Sequence, residues 1–299
     1  MTANISEINQ YENLGLIAKQ LVDGFITGLH KSPYHGFSVE FAEHKLYNFG
    51  ESTKHIDWKV FSRTDRLYTK QYEEETNLRC RILIDNSASM HYPEKGKDKL
   101  RFSIFGASAL AYLLVKQRDV VGLTVFSDEV EEETDVRSTQ AHLNTIITKL
   151  SALPKQQVNT KTDISSVLHE MADKIHKRSL VVIFSDMFQT SNEEEIMGAL
   201  QHLKHNKHEV ILFHVSDYET ELNFKFDDRP YRFIDVETQK SVKVNPREVK
   251  ELYTREMSQF YHELKIKCGM MKVDFVPVNT KDSFDKILGS YLIRRKKMR

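Results

Sequence analysis

The sequence predicts an α/β protein with a mainly parallel, doubly wound sheet, and three observations carry that expectation. Short runs rich in Val, Ile, Leu and Phe recur from about residue 78 onward, each bounded by polar or turn residues. Helical patterns separate these runs. One of them, Lys99–Gln117, is apolar on most faces, as a helix buried at the centre of such a fold must be. Strands alternating with helices imply right-handed crossovers and a sheet covered on both sides.

In chain order, the expected strands are Cys80–Asp85, Val120–Phe126, Leu180–Ser185, Val210–Val215 and Met271–Val276. Ala141–Leu150, Asp163–His176 and Glu193–Lys204 read as amphipathic helices. In the last helix Phe284, Ile287, Leu288, Tyr291 and Leu292 fall on a single face. The stretch 218–244 breaks the rhythm: its apolar residues lie among charges around an Asp227-Asp228-Arg229-Pro230 turn, the pattern of a hairpin insertion at a sheet edge. Near the N-terminus Leu14, Ile17, Ala18, Leu21, Val22 and Phe25 make an amphipathic helix. With a single lysine within it, packing on its own domain is the expectation rather than docking on a membrane. The aromatic, charge-dense region after Pro33 has too few aliphatics for a core of its own. The expected organisation is therefore an extension over residues 1–76 packed on an α/β domain over 77–299.

Composition narrows the function. Lys plus Arg equals Asp plus Glu at 43 each, so no net field favours nucleic acid or an acidic membrane. The basic run Arg294–Arg299 reads as a solvated tail on the last helix. Two distant cysteines, Cys80 and Cys268, have no metal or redox spacing and read as buried thiols of a reducing compartment. The N-terminus lacks a signal-peptide pattern, and the longest apolar stretch, Ser103–Val115, is far short of the ~20 residues that span a bilayer. A soluble, cytoplasmic protein is expected.

The most informative run is Arg81-Ile82-Leu83-Ile84-Asp85-Asn86-Ser87-Ala88-Ser89-Met90. A buried strand ends in an aspartate, and two hydroxyls follow at alternate positions. Small oxygen ligands on one tight loop suit a hard cation such as Mg²⁺ (or Mn²⁺), which takes octahedral oxygen ligation and usually only one or two carboxylates. Loops at the carboxyl ends of strands are also where open α/β sheets bind ligands. Two further segments join this one. Thr160-Lys161-Thr162-Asp163 precedes an amphipathic helix, and Val181–Asp186 is a second buried strand ending in a carboxylate. In a parallel sheet these loops share an edge, which would bring Thr162 and Asp186 beside Asp85. The plainer reading makes Ser87, Ser89 and Thr162 helix caps and Asp186 a turn former.

These residues, in this order, resemble the metal-ion-dependent adhesion site of the von Willebrand factor A fold. The resemblance implies Asp85, Ser87, Ser89, Thr162 and Asp186 as metal-site residues, acting directly or through water, with Asp163 as a supporting group. Upstream, Gly36–Phe41, Tyr47–Glu51, His55-Ile56-Asp57-Trp58-Lys59, Ser62-Arg63 and Thr69–Glu75 look like the preamble of the bacterial domain of unknown function 58 family. Glu51 stands where the family usually has aspartate and Ser62 where it has alanine. Asp57, Trp58 and Arg63 are read as structural, an ion pair and an aromatic plug joining the preamble to the sheet. Relatives often carry N-terminal membrane helices; none is expected here.

The family resemblance implies a non-enzymatic binding or scaffolding protein acting with a MoxR-type AAA+ ATPase in chaperone-like assembly or in stress and envelope functions. An acidic side chain of that partner would take the open position on the ion. The rival is a phosphoryl-transfer enzyme similar to haloacid dehalogenases, with Asp85 as nucleophile. Ser87 stands where those enzymes place a second aspartate, and none of Lys149, Lys155 or Lys161 has a persuasive context. No glycine-rich phosphate loop is present. His202, His205 and His208 read as a solvated helix end rather than a zinc site.

Overall fold

The structure is a computed structural model that describes residues 13–30, 44–47, 53, 58–70, 78–93, 98–155, 163–188, 193–235 and 240–298. The chain divides into two units, Met1–Ile26 with Leu78–Arg299, and Thr27–Asn77. In the smaller unit, β1 (His44–Leu46) pairs antiparallel with β2 (Tyr68–Lys70), and α2 (Trp58–Thr64) lies between them in sequence. Trp58 is not the core plug expected of it. It opens a seven-residue helix with its ring edge-on to Phe61 and is 61% exposed. Arg63 is likewise exposed, and Asp57 lies outside the described residues.

The larger unit takes in α1 (Leu14–His30) as far as Ile26, and this helix buries Leu14, Ile17, Ala18 and Val22 of the predicted apolar face, with Leu21 and Phe25 half-buried. The sheet that follows is built from β3 (Arg79–Asp85), β4 (Val120–Phe126), β5 (Val130–Glu133), β6 (Leu180–Ser185), β7 (Glu209–Ser216) and β10 (Asp274–Asn279). Its spatial order is β10-β7-β6-β3-β4-β5, parallel throughout except for the antiparallel edge strand β5. Side chains alternate across it because the strand repeat is two. On one face Leu83, Val181, Ile183, Val210 and Leu212 pack with residues of α5 (Ile164–Lys174), α6 (Glu193–His205) and α7 (Pro246–Met270). On the other lie α3 (Lys99–Lys116), α4 (Gln140–Ala152) and α8 (Asp285–Met298). There the helix and sheet approach so closely that a Cβ on Gly106 of α3 would fall 2.5 Å from Ile287 and 3.2 Å from the Phe184 ring.

Several elements depart from expectation. The β5 segment carries three glutamates yet forms an edge strand, with Glu131 and Glu132 half-buried against neighbouring side chains. The long helix α7 carries only a sparse apolar pattern, burying Pro246, Met257, Leu264 and Cys268. Because α7 runs on to Met270 and turns through Lys272 at φ 58°, β10 starts at Asp274 rather than at Met271. Within 218–244 the ribbon is confined to β8 (Tyr231–Ile234) and β9 (Ser241–Val244), while Tyr218–Leu222 forms a π-helical turn. His208 is wholly buried, not solvated: its Nδ1 accepts the Ser179 N–H at 3.3 Å. Cys80 and Cys268 are buried free thiols. No helix among the described residues is long and apolar enough to cross a membrane.

Candidate metal centre

Connections from β3 lead one way to β4 and β5, and from β6 the other way to β7 and β10, so the strand order reverses between β3 and β6. At such a switch point the loops after the two strands diverge and leave a crevice at their carboxyl ends. Asp85 ends β3 and Asp186 directly follows β6, so both flank that crevice. The parallel register of the two strands holds the ends level, and Ser185 Oγ donates to Asp85 Oδ2 at 2.6 Å.

Asp85 Oδ1 accepts the Ser87 N–H at 2.9 Å, which folds the chain into a tight turn just after the strand. Ser87 occupies the position before the 3₁₀ turn Ala88–His91, where a cap would sit, yet its side chain makes no capping hydrogen bond. Its Oγ lies instead 3.0 Å from Ser89 Oγ. Asn86, between Asp85 and Ser87 in the chain, turns the other way. Its Nδ2 donates to Glu131 at 2.8 Å and its Oδ1 lies 3.2 Å from His91 Nε2, which ties the loop to the β5 edge. Asp85 and Ser87 are fully buried and Ser89 is half-buried, so Ser89 marks the side open to solvent. Burial, and then the facing charge of Asp186, push the Asp85 carboxyl up to about 7 against the hydrogen bonds from Ser185 and Ser87.

Asp186 is held differently. Its Oδ1 accepts the Phe188 N–H at 3.0 Å, and its Oδ2 takes an ion pair with Lys99 Nζ at 2.7 Å. The same ammonium bonds Glu221 Oε1 from the π-helical turn after β7. Burial alone would depress the Lys99 ammonium, but Asp186 and Glu221 hold it above its ordinary range. Glu221 is raised, by burial first, with Lys99 opposing. Beside Asp186, His214 is wholly buried, edge-on to Tyr261 at 4.5 Å, and burial lowers it to about 4, so it is neutral.

Of the residues singled out from the sequence, Asp85, Ser87, Ser89 and Asp186 therefore meet at one sheet edge. Asp163 serves α5 as its N-cap, accepting from the Ser166 N–H at 3.0 Å and from Ser165 Oγ at 2.9 Å. Thr162 lies outside the described residues. Lys99 and Glu221 escaped the sequence reading. Lys99 left a signal, a lysine in the first turn of a helix, where the dipole disfavours a cation.

The donor set fits a hard divalent ion better than a soft one. Among the described residues no group of three or more His, Cys, Asp or Glu side chains forms a metal cage, so an ion here would rely on hydroxyls. Octahedral ligands at ~2.1 Å stand ~3.0 Å apart along an edge, and the Ser87 and Ser89 hydroxyls have that separation, 3.0 Å. Asp186 and Glu221 pair with the Lys99 ammonium, while Asp85 faces Asp186 and, among the described residues, has no ion-pair partner, so a dication would relieve the repulsion between the two aspartates.

Oxygen donors on the strand-end loop at the switch point of a parallel sheet with one antiparallel edge strand place this chain among the doubly wound α/β proteins. The chain belongs to the family described as protein of unknown function DUF58, whose profile matches residues 43–262. Uncharacterized proteins of Mycobacterium tuberculosis and Mycobacterium bovis are 23% identical to it over 204 residues, 68% of this chain and 63% of theirs. The match thus spans less than two thirds of the length of those relatives. Among solved structures, BatB of Bacteroides thetaiotaomicron is similar at a TM-score of 0.47 and 13% identity, over 74% of this chain and 99% of BatB. The VWA domain of SpRpn10 is similar at 0.40 and 12%, over 71% of this chain and 94% of that domain.

Proposed function

We propose that this chain is a non-enzymatic, Mg²⁺-dependent protein-interaction scaffold that works with a MoxR-type AAA+ ATPase in chaperone-like assembly or in stress and envelope functions. Family membership supports the scaffold class, and one observation carries the ion. Ser87 and Ser89, free of any capping duty, turn their hydroxyls to each other beside Asp85 at the switch point. Ser87 and Ser89 would hold the ion directly, and Asp85 would balance its charge. When bound, the ion would supply a Lewis-acidic site for one carboxylate of the bound protein, which would make recognition cation-dependent. The phosphoryl-transfer alternative needs a reachable Asp85 oxygen, but Asp85 is wholly buried and both its oxygens already accept hydrogen bonds.

Thermal unfolding of metal-stripped protein titrated with Mg²⁺ tests the ion. Binding to the folded state alone gives a saturable rise in Tm, expected in the wild type and absent from Asp85→Ala. A wild type that shows no rise, with or without a candidate ATPase, sinks the metal-bridge mechanism.

A further inference from the structure

Lys99 is the first residue of α3, and its side chain is 1% exposed. Helix capping does not explain it, because Asp98 already caps α3 through the Arg101 N–H at 2.6 Å. Nor does the helix dipole, which repels a cation at this end. What surrounds the ammonium is a cage drawn from distant parts of the chain. Asp186 Oδ2 lies at 2.7 Å, Glu221 Oε1 completes a second ion pair, and the Tyr92 ring stands 6.0 Å away. An ammonium is kept out of water only where such partners offset its desolvation.

The cage has a consequence for the neighbouring crevice. Asp186 spends one oxygen on Lys99 and the other on the Phe188 N–H. An ammonium fixed on a carboxylate draws its charge away from a second cation and repels that cation directly. Ser87 and Ser89, by contrast, have their hydroxyls turned to each other, and among the described residues the donors to Asp85 are neutral.

Resting on the metal-centre reading above, we infer that Lys99 sets the ion affinity of this site. It is a resident cation that keeps Asp186 out of direct ligation and holds the intrinsic affinity for a divalent ion low. The free chain then holds the ion weakly and holds it tightly once a carboxylate of a bound protein completes the shell, which couples ion uptake to partner recognition. Glu221 moderates the effect by drawing part of the ammonium's charge toward the turn that leads to the β8–β9 ribbon.

Mn²⁺ binding to the full chain, followed by loss of the free-ion EPR signal, tests this with wild type, Lys99→Met, Glu221→Gln and Ser87→Ala. Lys99→Met is expected to bind Mn²⁺ at least about tenfold more tightly than wild type, since it frees Asp186 and removes the repelling charge. Glu221→Gln is expected to bind several-fold more weakly, because the ammonium then bears on Asp186 alone. A merely structural lysine predicts weaker binding in Lys99→Met. Equal or weaker binding by folded Lys99→Met therefore overturns the inference. If that variant does not fold, a Glu221→Gln affinity at or above wild type overturns it. Binding that is lost in Ser87→Ala but unchanged in Lys99→Met refutes the part given to Lys99 alone. Binding absent from wild type and folded Lys99→Met alike refutes the metal centre itself.

Discussion

Asp85 and Asp186 stand at the ends of adjacent parallel strands, both fully buried, and yet the protein treats them in opposite ways. Asp85 is held by neutral donors, the Ser87 N–H and the Ser185 hydroxyl. Asp186 is held by a buried ammonium. One strand-end carboxylate has its ionised form disfavoured by burial and by its neighbour, and that neighbour carries a permanent counter-ion. Position in a sheet therefore does not decide what a carboxylate can do. The charge that the next layer brings to it does.

The largest effect should come from removing that counter-ion. Breaking a buried pair by deleting one partner costs about 3–5 kcal/mol, because the other charge is left buried and unpaired. Lys99→Met strands Asp186 and Glu221 together, so urea unfolding in excess chelator should show a loss of that size. A loss below about 1 kcal/mol would mean that the Lys99 cage contributes little and that the two aspartates are not so different.

An acid limb of stability should follow from His214 beside Asp186. Burial lowers this imidazole to about 4, whereas an unfolded histidine titrates near ~6.5. Between those values the unfolded chain binds a proton that the folded protein refuses, so stability falls as pH falls. The full contribution is present above the unfolded value and amounts to about 3 kcal/mol, lost progressively down to the folded one. Unfolding free energies measured across that window should fall more steeply for wild type than for His214→Phe. Parallel curves would show that His214 titrates in the folded protein as it does in the unfolded chain.

How much of this was legible in the sequence depends on how local each feature is. The strands β3, β4 and β6 stand out as apolar runs because both of their faces are buried. The loop from Asp85 to Ser89 is legible for a related reason, since its donors are neighbours in the chain. The edge strand β5 hides behind three glutamates, and the helix α7 behind a polar surface that buries only four of its residues. Lys99 and Glu221 are harder still. They meet Asp186 and each other across 87 and 122 residues of chain, so only the fold reveals the cage.

Asp85 should be far more tolerant than Lys99 in the absence of metal. Asp85→Asn removes a charge that burial and Asp186 both oppose, and the amide oxygen can still accept the Ser87 N–H. In chelator its stability should lie within about 1 kcal/mol of wild type, or above it. The Mg²⁺-dependent rise in Tm should be absent. A large loss in chelator would mean that the Asp85 charge is needed structurally, and the contrast with Asp186 would collapse.

The effect on stability at Ser89 is comparably small, and it is the most telling about the loop. Ser89 is half-buried and among the described residues its hydroxyl bonds to Ser87, whose side chain makes no capping hydrogen bond. Losing one such neutral hydrogen bond at a partly solvated site costs about 0.5–1.5 kcal/mol. Metal-free Ser89→Ala should therefore unfold within about that margin of wild type while its Mn²⁺ affinity falls by about tenfold or more. A hydroxyl kept for turn-making would show the reverse, a clear stability loss with ion binding intact. Because the two outcomes move different observables, paired unfolding and Mn²⁺ titrations of this one variant decide whether the hydroxyl pair is a ligand edge or a turn.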